Sequence, residues 1–184
     1  MISLHFPKKV KFLVGFIYSD EEVYLRAKNI LRKKYGEFDF ESQTIPFDFT
    51  DYYCEEMGTH LKRRFLSARK LFKLTDFVAI KHYCIKIEKM FSCSGMRKIN
   101  IDPGYLNDAK LVLLTRKNFF HRIYLGKGIY AEVTLYYSKK KINYLPWTYP
   151  DYRTEEYTDI ILKIRNTYMS QIRHAYPQEK NRAN

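Results

Sequence analysis

The stretch KVKFLVGFIYS (residues 9–19) constrains this chain more than any other. Between Val10 and Tyr18 apolar residues fall on both faces of an extended strand, broken by Lys11. A strand that is apolar on both sides is stable only where both sides are covered. The chain must therefore build a sheet around this strand and pack further elements against it. The acidic run Asp20-Glu21-Glu22 follows at once, so the segment leads into a helix and does not read as a secretion signal. No apolar run approaches transmembrane length. A cytoplasmic protein without membrane association is expected.

The remaining pattern alternates strands and helices. Ser19 is placed to cap a helix, with Glu22 as the return half of a capping box. Val23, Ala27, Ile30 and Leu31 form its apolar face, and Gly36 ends it. Residues 38–49 read as a strand, 50–58 as a polar loop and 60–67 as an amphipathic strand. Thr75 is placed to cap a second helix with Phe77, Ile80, Cys84, Ile87 and Phe91 on one face. Strands follow at 98–102, 110–116, 121–125, 129–137 and 141–145, and NIDPGYL (100–106) reads as a strand end that turns at Pro103-Gly104. A last helix begins at Thr154, with Tyr157, Ile160, Ile161, Ile164, Tyr168 and Ile172 inward. The order predicts an α+β domain over residues 1–176. Its sheet is mixed and mostly antiparallel, with a split βαβ, ferredoxin-like first part, added hairpins and a C-terminal helix. Residues 177–184 read as a flexible polar tail.

Charge bears on partners. The formal net charge is +13, from 33 Lys and Arg against 20 Asp and Glu. Such a chain attracts polyanions, yet the lysines are scattered and form no stripe of the kind nucleic acid demands. Three cysteines without a C-x-x-C pair fit a reducing compartment, and five dispersed histidines, His5, His60, His82, His121 and His174, offer no zinc spacing. No metal site is expected, and no cofactor is implied.

Polar residues in the second half point towards a common side. In IYAEVTLYY, strict alternation sets Tyr130 and Glu132 opposite Ile129, Ala131, Val133 and Leu135, which should be buried together. Asn100 and Asp102 share one face of their strand, and Arg122 alternates with His121. A solvated face explains such residues equally well, but a wet face in this chain should be rich in lysine, and this one is not. LPWTYPDYR (145–153) holds the single Trp, two Pro, an Asp and an Arg. Its prolines stiffen the chain. Arg153 sits near a helix start, where the dipole favours an anion, so it either pairs with Asp151 or awaits an anionic ligand. The resulting site has Glu132 and Asp102 as proton-transfer groups. Arg122, Arg153, Asp151, Tyr105, Tyr130 and Tyr149 are its ligand-binding groups.

TDYYCEEMG, NIDPGYL, HRIYLGKGIYAEVTL and PWTYPDYR resemble the signature segments of an uncharacterised bacterial family, a domain of unknown function, some members of which are labelled "GTP-binding protein". LKRRF (61–65) belongs to the same pattern, while Lys117-Asn118 departs from a Lys-Asp pair. The resemblance spans nearly the whole chain and implies no activity. A P-loop is absent, since the lone Gly-Lys, Gly126-Lys127, lies between strands and is followed by Gly128. The residues leave three readings open. One is a binding protein or enzyme for a small anionic, phosphorylated or zwitterionic ligand. Another is an RNA-binding protein using a basic, tyrosine-rich sheet surface. The third is an adaptor without chemistry.

Overall fold

A computed structural model describes residues 7–177; His5 and all of the expected tail beyond Pro177 lie outside the described residues. The elements are β1 (Val10–Tyr18), α1 (Glu21–Tyr35), β2 (Phe38–Glu41), β3 (Ile45–Pro46), α2 (Cys54–Met57), β4 (Lys62–Phe72) and α3 (Phe77–Met90). They continue with β5 (Ile99–Leu106), β6 (Lys110–Thr115), β7 (Ile123–Gly126), β8 (Ile129–Ser138), β9 (Lys141–Tyr144) and α4 (Glu155–Ala175). The strands form one sheet in the order β2-β4-β1-β5-β6-β8-β7, with β3 added beside β4 and β9 beside β8. Every pairing among the described residues is antiparallel. The chain is an α+β domain, and the order β2-β4-β1-β5 is compatible with a split βαβ unit.

Two cores explain why β1 is apolar on both sides. Phe12, Val14, Phe16 and Tyr18 pack with Tyr24, Ala27 and Leu31 of α1 and with Phe77, Ile80, Cys84 and Ile87 of α3. On the opposite face Leu13, Phe65, Leu111, Leu113 and Leu135 pack with Tyr157, Ile160, Ile161, Ile164, Tyr168 and Ile172 of α4. Burial of a side chain of this size contributes about 1.5–3 kcal/mol, so the two faces together hold the layers in place. Ile17 anchors a third, smaller cluster with Phe47, Met57 and Leu61, which fixes the segment between β3 and β4 over one end of the sheet.

Several local expectations are corrected. Asp20, not Ser19, caps α1, its carboxylate accepting from the amides of Glu22 and Val23, two of the orphan donors of the first turn. A 3-10 turn over Leu74–Asp76 precedes α3, so Thr75 is not its cap. Residues 38–49 break into two short strands, and 51–57 form a 3-10 turn plus α2 instead of an open loop.

NIDPGYL is strand throughout, not a turn. Gly104 is required there by proximity: a Cβ would stand 2.5 Å from the Val112 carbonyl oxygen and 2.8 Å from a Leu113 methyl. Gly104→Ala is expected to destabilise the domain by about 1–3 kcal/mol through overpacking. A urea melt matching the parent would refute this close approach.

The alternation of β8 fails at one point. Leu111 opposes Leu135, and Val112 opposes Val133, so Thr134 is an extra residue on β8. This bulge turns Leu135 to the Glu132 face. Ile129 therefore joins the α1–α3 core while Leu135 joins the α4 core, and the four expected partners are not buried together. Along the outer edge of β8, β7 covers residues 129–131 and β9 covers 135–138. LPWTYPDYR fills the gap between them: Trp147 Nε1 donates to the Val133 carbonyl at 2.9 Å, and the Thr148 hydroxyl donates to the Thr134 carbonyl.

Candidate functional site

The site originates in a split of the sheet. β5 and β6 pair only between Gly104–Leu106 and Leu111–Leu113, so the earlier half of β5 has lost its neighbour on that side. An unpaired backbone amide or carbonyl in the interior is costly. Two side chains of α3 take the place of the missing strand: Glu88 Oε1 accepts from Ile101 N at 2.7 Å, and Lys81 Nζ donates to Ile101 O at 3.1 Å. They are seven residues apart, two helical turns, and so share one face of α3. Strand geometry turns the nitrogen of Pro103 to the same side as that of Ile101, where no strand waits for a donor.

A cavity of about 1140 Å³ opens in this wedge. Phe47, Phe49, Tyr52, Tyr53 and Glu56 from the β3–β4 segment line it, as do Tyr149, Asp151 and Tyr152 from the strap before α4. Glu56 and Arg97 close one side through a bidentate pair, Nε–Oε1 2.7 Å and Nη2–Oε2 2.6 Å, and Arg97 also donates to Asn100 at 2.9 Å. The Arg97 hydrogen bonds hold the Glu56 carboxyl below the usual carboxylate range.

Arg63 of β4 stands at the centre and is 2 % exposed. Its Nη1 lies 3.6 Å from Asp102 Oδ2, its Nη2 lies 3.6 Å from Asp151 Oδ2, and Nη2 donates to the Tyr152 hydroxyl at 3.0 Å. The rings of Phe65, Tyr152, Phe47 and Tyr157 surround the guanidinium at 4.9–5.8 Å. Burial alone would depress its pKa, but the Tyr152 and Tyr157 hydroxyls and the Asp151 and Asp102 carboxylates hold it above the ordinary value. The cation is thus retained, yet its two carboxylates stand beyond hydrogen-bond length and its Nε has no partner. Burial pushes the Asp151 carboxyl up, with Arg63 opposing the shift. Asp102 is also reached by Asn100 Nδ2 at 2.7 Å and by Lys81 Nζ at 3.7 Å.

Glu132 forms the other end. It is 3 % exposed. His121 Nε2 stands 3.1 Å and Arg122 Nε 2.7 Å from its Oε2, while Oε1 is buried without a partner. His121 and Arg122 reach the same oxygen because β7 begins only at Ile123, so strand alternation does not separate them. His121 stacks on Trp147 with centroids 4.8 Å apart and planes 10° from parallel. Arg122 continues to the Tyr149 hydroxyl at 2.9 Å. Burial, then the nearby Glu132 carboxylate, pushes the Tyr149 hydroxyl up to about 12.

Of the residues the sequence singled out, Asp102, Glu132, Asp151 and Tyr149 line the cavity, and Arg122 backs Glu132. Three lie elsewhere. Tyr105 packs into the α1–α3 core against Phe77. Tyr130 packs on Tyr124. Arg153 donates to the carbonyls of Leu145, Pro146 and Thr148 at 2.9–3.0 Å; it ties down the strap, which explains a cation at a helix start without a ligand. Sequence reasoning missed Arg63, Lys81, Glu88, Arg97 and His121 as site residues. The placement of Arg63 on one strand face with Leu61 and Phe65 and the seven-residue Lys81–Glu88 spacing were visible, but neither reveals burial.

Lys89, Arg116 and Lys117 add positive charge to the lining at its exposed end. Lys117 sits 4.3 Å over the Tyr52 ring, and Lys89 and Arg116 form no ion pair among the described residues. Helices cover both faces of the sheet over β1, β4, β5 and β6, so those strands present no open platform. Among the described residues no group of three or more His, Cys, Asp or Glu is arranged to hold a metal ion, and no helix is long and apolar enough to cross a membrane. The Gly126-Lys127-Gly128 segment is the β7–β8 turn, all three residues having positive φ, and it does not line the cavity.

A family profile described as a domain of unknown function, DUF4416, matches residues 8–168. No curated protein and no solved structure matches the chain.

Proposed function

The chain belongs to the DUF4416 family, a domain of unknown function, and we propose that in this member the cavity between β5 and β6 binds a small molecule bearing an anionic group. One observation carries this reading: Arg63 is buried in the cavity wall with its carboxylates at 3.6 Å and its Nε unpartnered. A buried guanidinium carries five donors in a fixed fork that matches carboxylate and phosphate oxygens. Here one of those donors makes a hydrogen bond to the protein. Lys89, Arg116 and Lys117 at the exposed end would draw such a ligand in. The rings of Phe47, Phe49, Tyr52 and Tyr53 supply apolar wall for its body. Asp102, Asp151 and Glu132 place three carboxylates, groups able to exchange protons, within the same lining.

Calorimetric titration with inorganic phosphate, alkyl phosphates and short carboxylates tests the reading. Saturable binding that weakens as salt is raised is expected, with Arg116→Ala and Lys117→Ala each lowering affinity by roughly twofold to fivefold, the usual worth of an exposed charge. Absence of any saturable binding at millimolar concentrations, with the protein folded, sinks it.

A further inference from the structure

We infer that the ligand of this cavity carries, beside its anionic group, a hydrogen-bond donor, a hydroxyl or an ammonium, that is received by Glu132 Oε1. The inference rests on the anion reading above and adds a second recognition point to it. Glu132 lines the cavity. The Glu132 carboxylate cannot turn to satisfy itself. His121 and Arg122 both hold Oε2. Arg122 is anchored by two further bonds, Nη1 to the Lys117 carbonyl at 3.0 Å and Nη2 to the Tyr149 hydroxyl at 2.9 Å. His121 is pinned flat against Trp147, which is itself tied to the Val133 carbonyl. The remaining oxygen is therefore held in one place, buried and without a donor.

A desolvated acceptor of this kind is destabilising unless something donates to it. Sites built to receive a donor discriminate against molecules that lack it, because the acceptor is then left bare. Arg63 has the converse defect, donors without a full set of acceptors. A molecule with an anion at one end and a hydroxyl or ammonium at the other answers both. The same arrangement gives LPWTYPDYR its place in the site. Trp147 and Tyr149 act as positioning residues for His121 and Arg122, and through them for Glu132.

The test uses matched alkyl phosphates of two to six carbons ending in methyl, hydroxyl or amine, titrated calorimetrically into the full chain. At one chain length a hydroxyl- or amine-ended probe is expected to bind about tenfold tighter than its methyl-ended match, equivalent to ~1.4 kcal/mol. Which ending wins identifies the donor. In Glu132→Gln the amide oxygen will face the two donors and its NH2 the cavity. An amine-ended probe should then lose its advantage, a hydroxyl-ended one should keep part of it by accepting from the NH2, and methyl-ended probes should lose no affinity. If every series binds equally regardless of its ending, the inference is overturned and the anion reading stands. If no phosphate binds at all, the inference falls, and the anion reading falls with it when the short carboxylates fail to bind as well. The parent comparison decides the question even should Glu132→Gln fail to fold.

Discussion

Asp39→Ala will destabilise this protein by about 3–5 kcal/mol at neutral pH, because it strands a buried ammonium. Lys11 is 0 % exposed inside the strand that organises both cores. Its Nζ pairs with Asp39 and donates to Gln171 Oε1 at 2.9 Å. Asp39 is held in turn by Ser67 Oγ at 2.7 Å. Burial lowers the Lys11 pKa below 10.5, with Asp39 opposing the shift. The sign follows from linkage. Between the lowered folded value and 10.5 the unfolded chain binds more protons, so stability rises with pH across that window. Removing Asp39 lowers the folded value further and widens the window downward. The deficit of Asp39→Ala should therefore shrink when urea melts are repeated near about pH 9.5. Lys11→Met combined with Asp39→Leu should lie close to the parent, since the paired charges leave together. A deficit that stays constant from neutral to alkaline pH would show that Lys11 does not bear the cost.

Arg63→Met is expected to cost about as much, roughly 3–5 kcal/mol at neutral pH, and to abolish anion binding. Asp151 and Asp102 share this cation, and Asp151 is already pushed above 3.8 by burial. A carboxyl with a raised folded value binds protons in the native state that the unfolded state has released, so stability falls as pH rises through the window above 3.8. Without Arg63 the folded value of Asp151 climbs and the window extends upward. The deficit should be smaller near about pH 5 than at neutrality, opposite in direction to Asp39→Ala. Arg63→Lys separates the roles. A lysine keeps the charge but loses the planar fork, so it should restore much of the stability and little of the binding. Equal recovery of both would argue against anion recognition by the fork.

The site was half legible in the sequence, and the division has a physical pattern. Asp102, Glu132, Asp151 and Tyr149 stood out because each is an acid or ring in a segment whose neighbours are apolar or rigid. Arg63 did not, although it shares a strand face with Leu61 and Phe65, because an arginine in so basic a chain reads as one more solvated charge. It is buried only because α4 covers that face and the 47–58 segment closes over Ile17. Arg153 misled for the converse reason. Its position beside a helix start is local, whereas the three carbonyls it serves are brought to it by the fold of residues 145–148.

What the sequence determined by itself is whatever depends on neighbours within a turn or a strand's width. The two-sided apolarity of β1 demands a sheet covered on both faces. The periodic faces of α1, α3 and α4 supply the covers. What only the tertiary structure decided is where pairing stops. Nothing local in β5 or β6 announces that they part beyond Gly104, because strand register is an agreement between distant segments. That parting creates the cavity, calls Lys81 and Glu88 into the backbone's service, and turns Arg63 and Glu132 from surface charges into buried groups facing a common space.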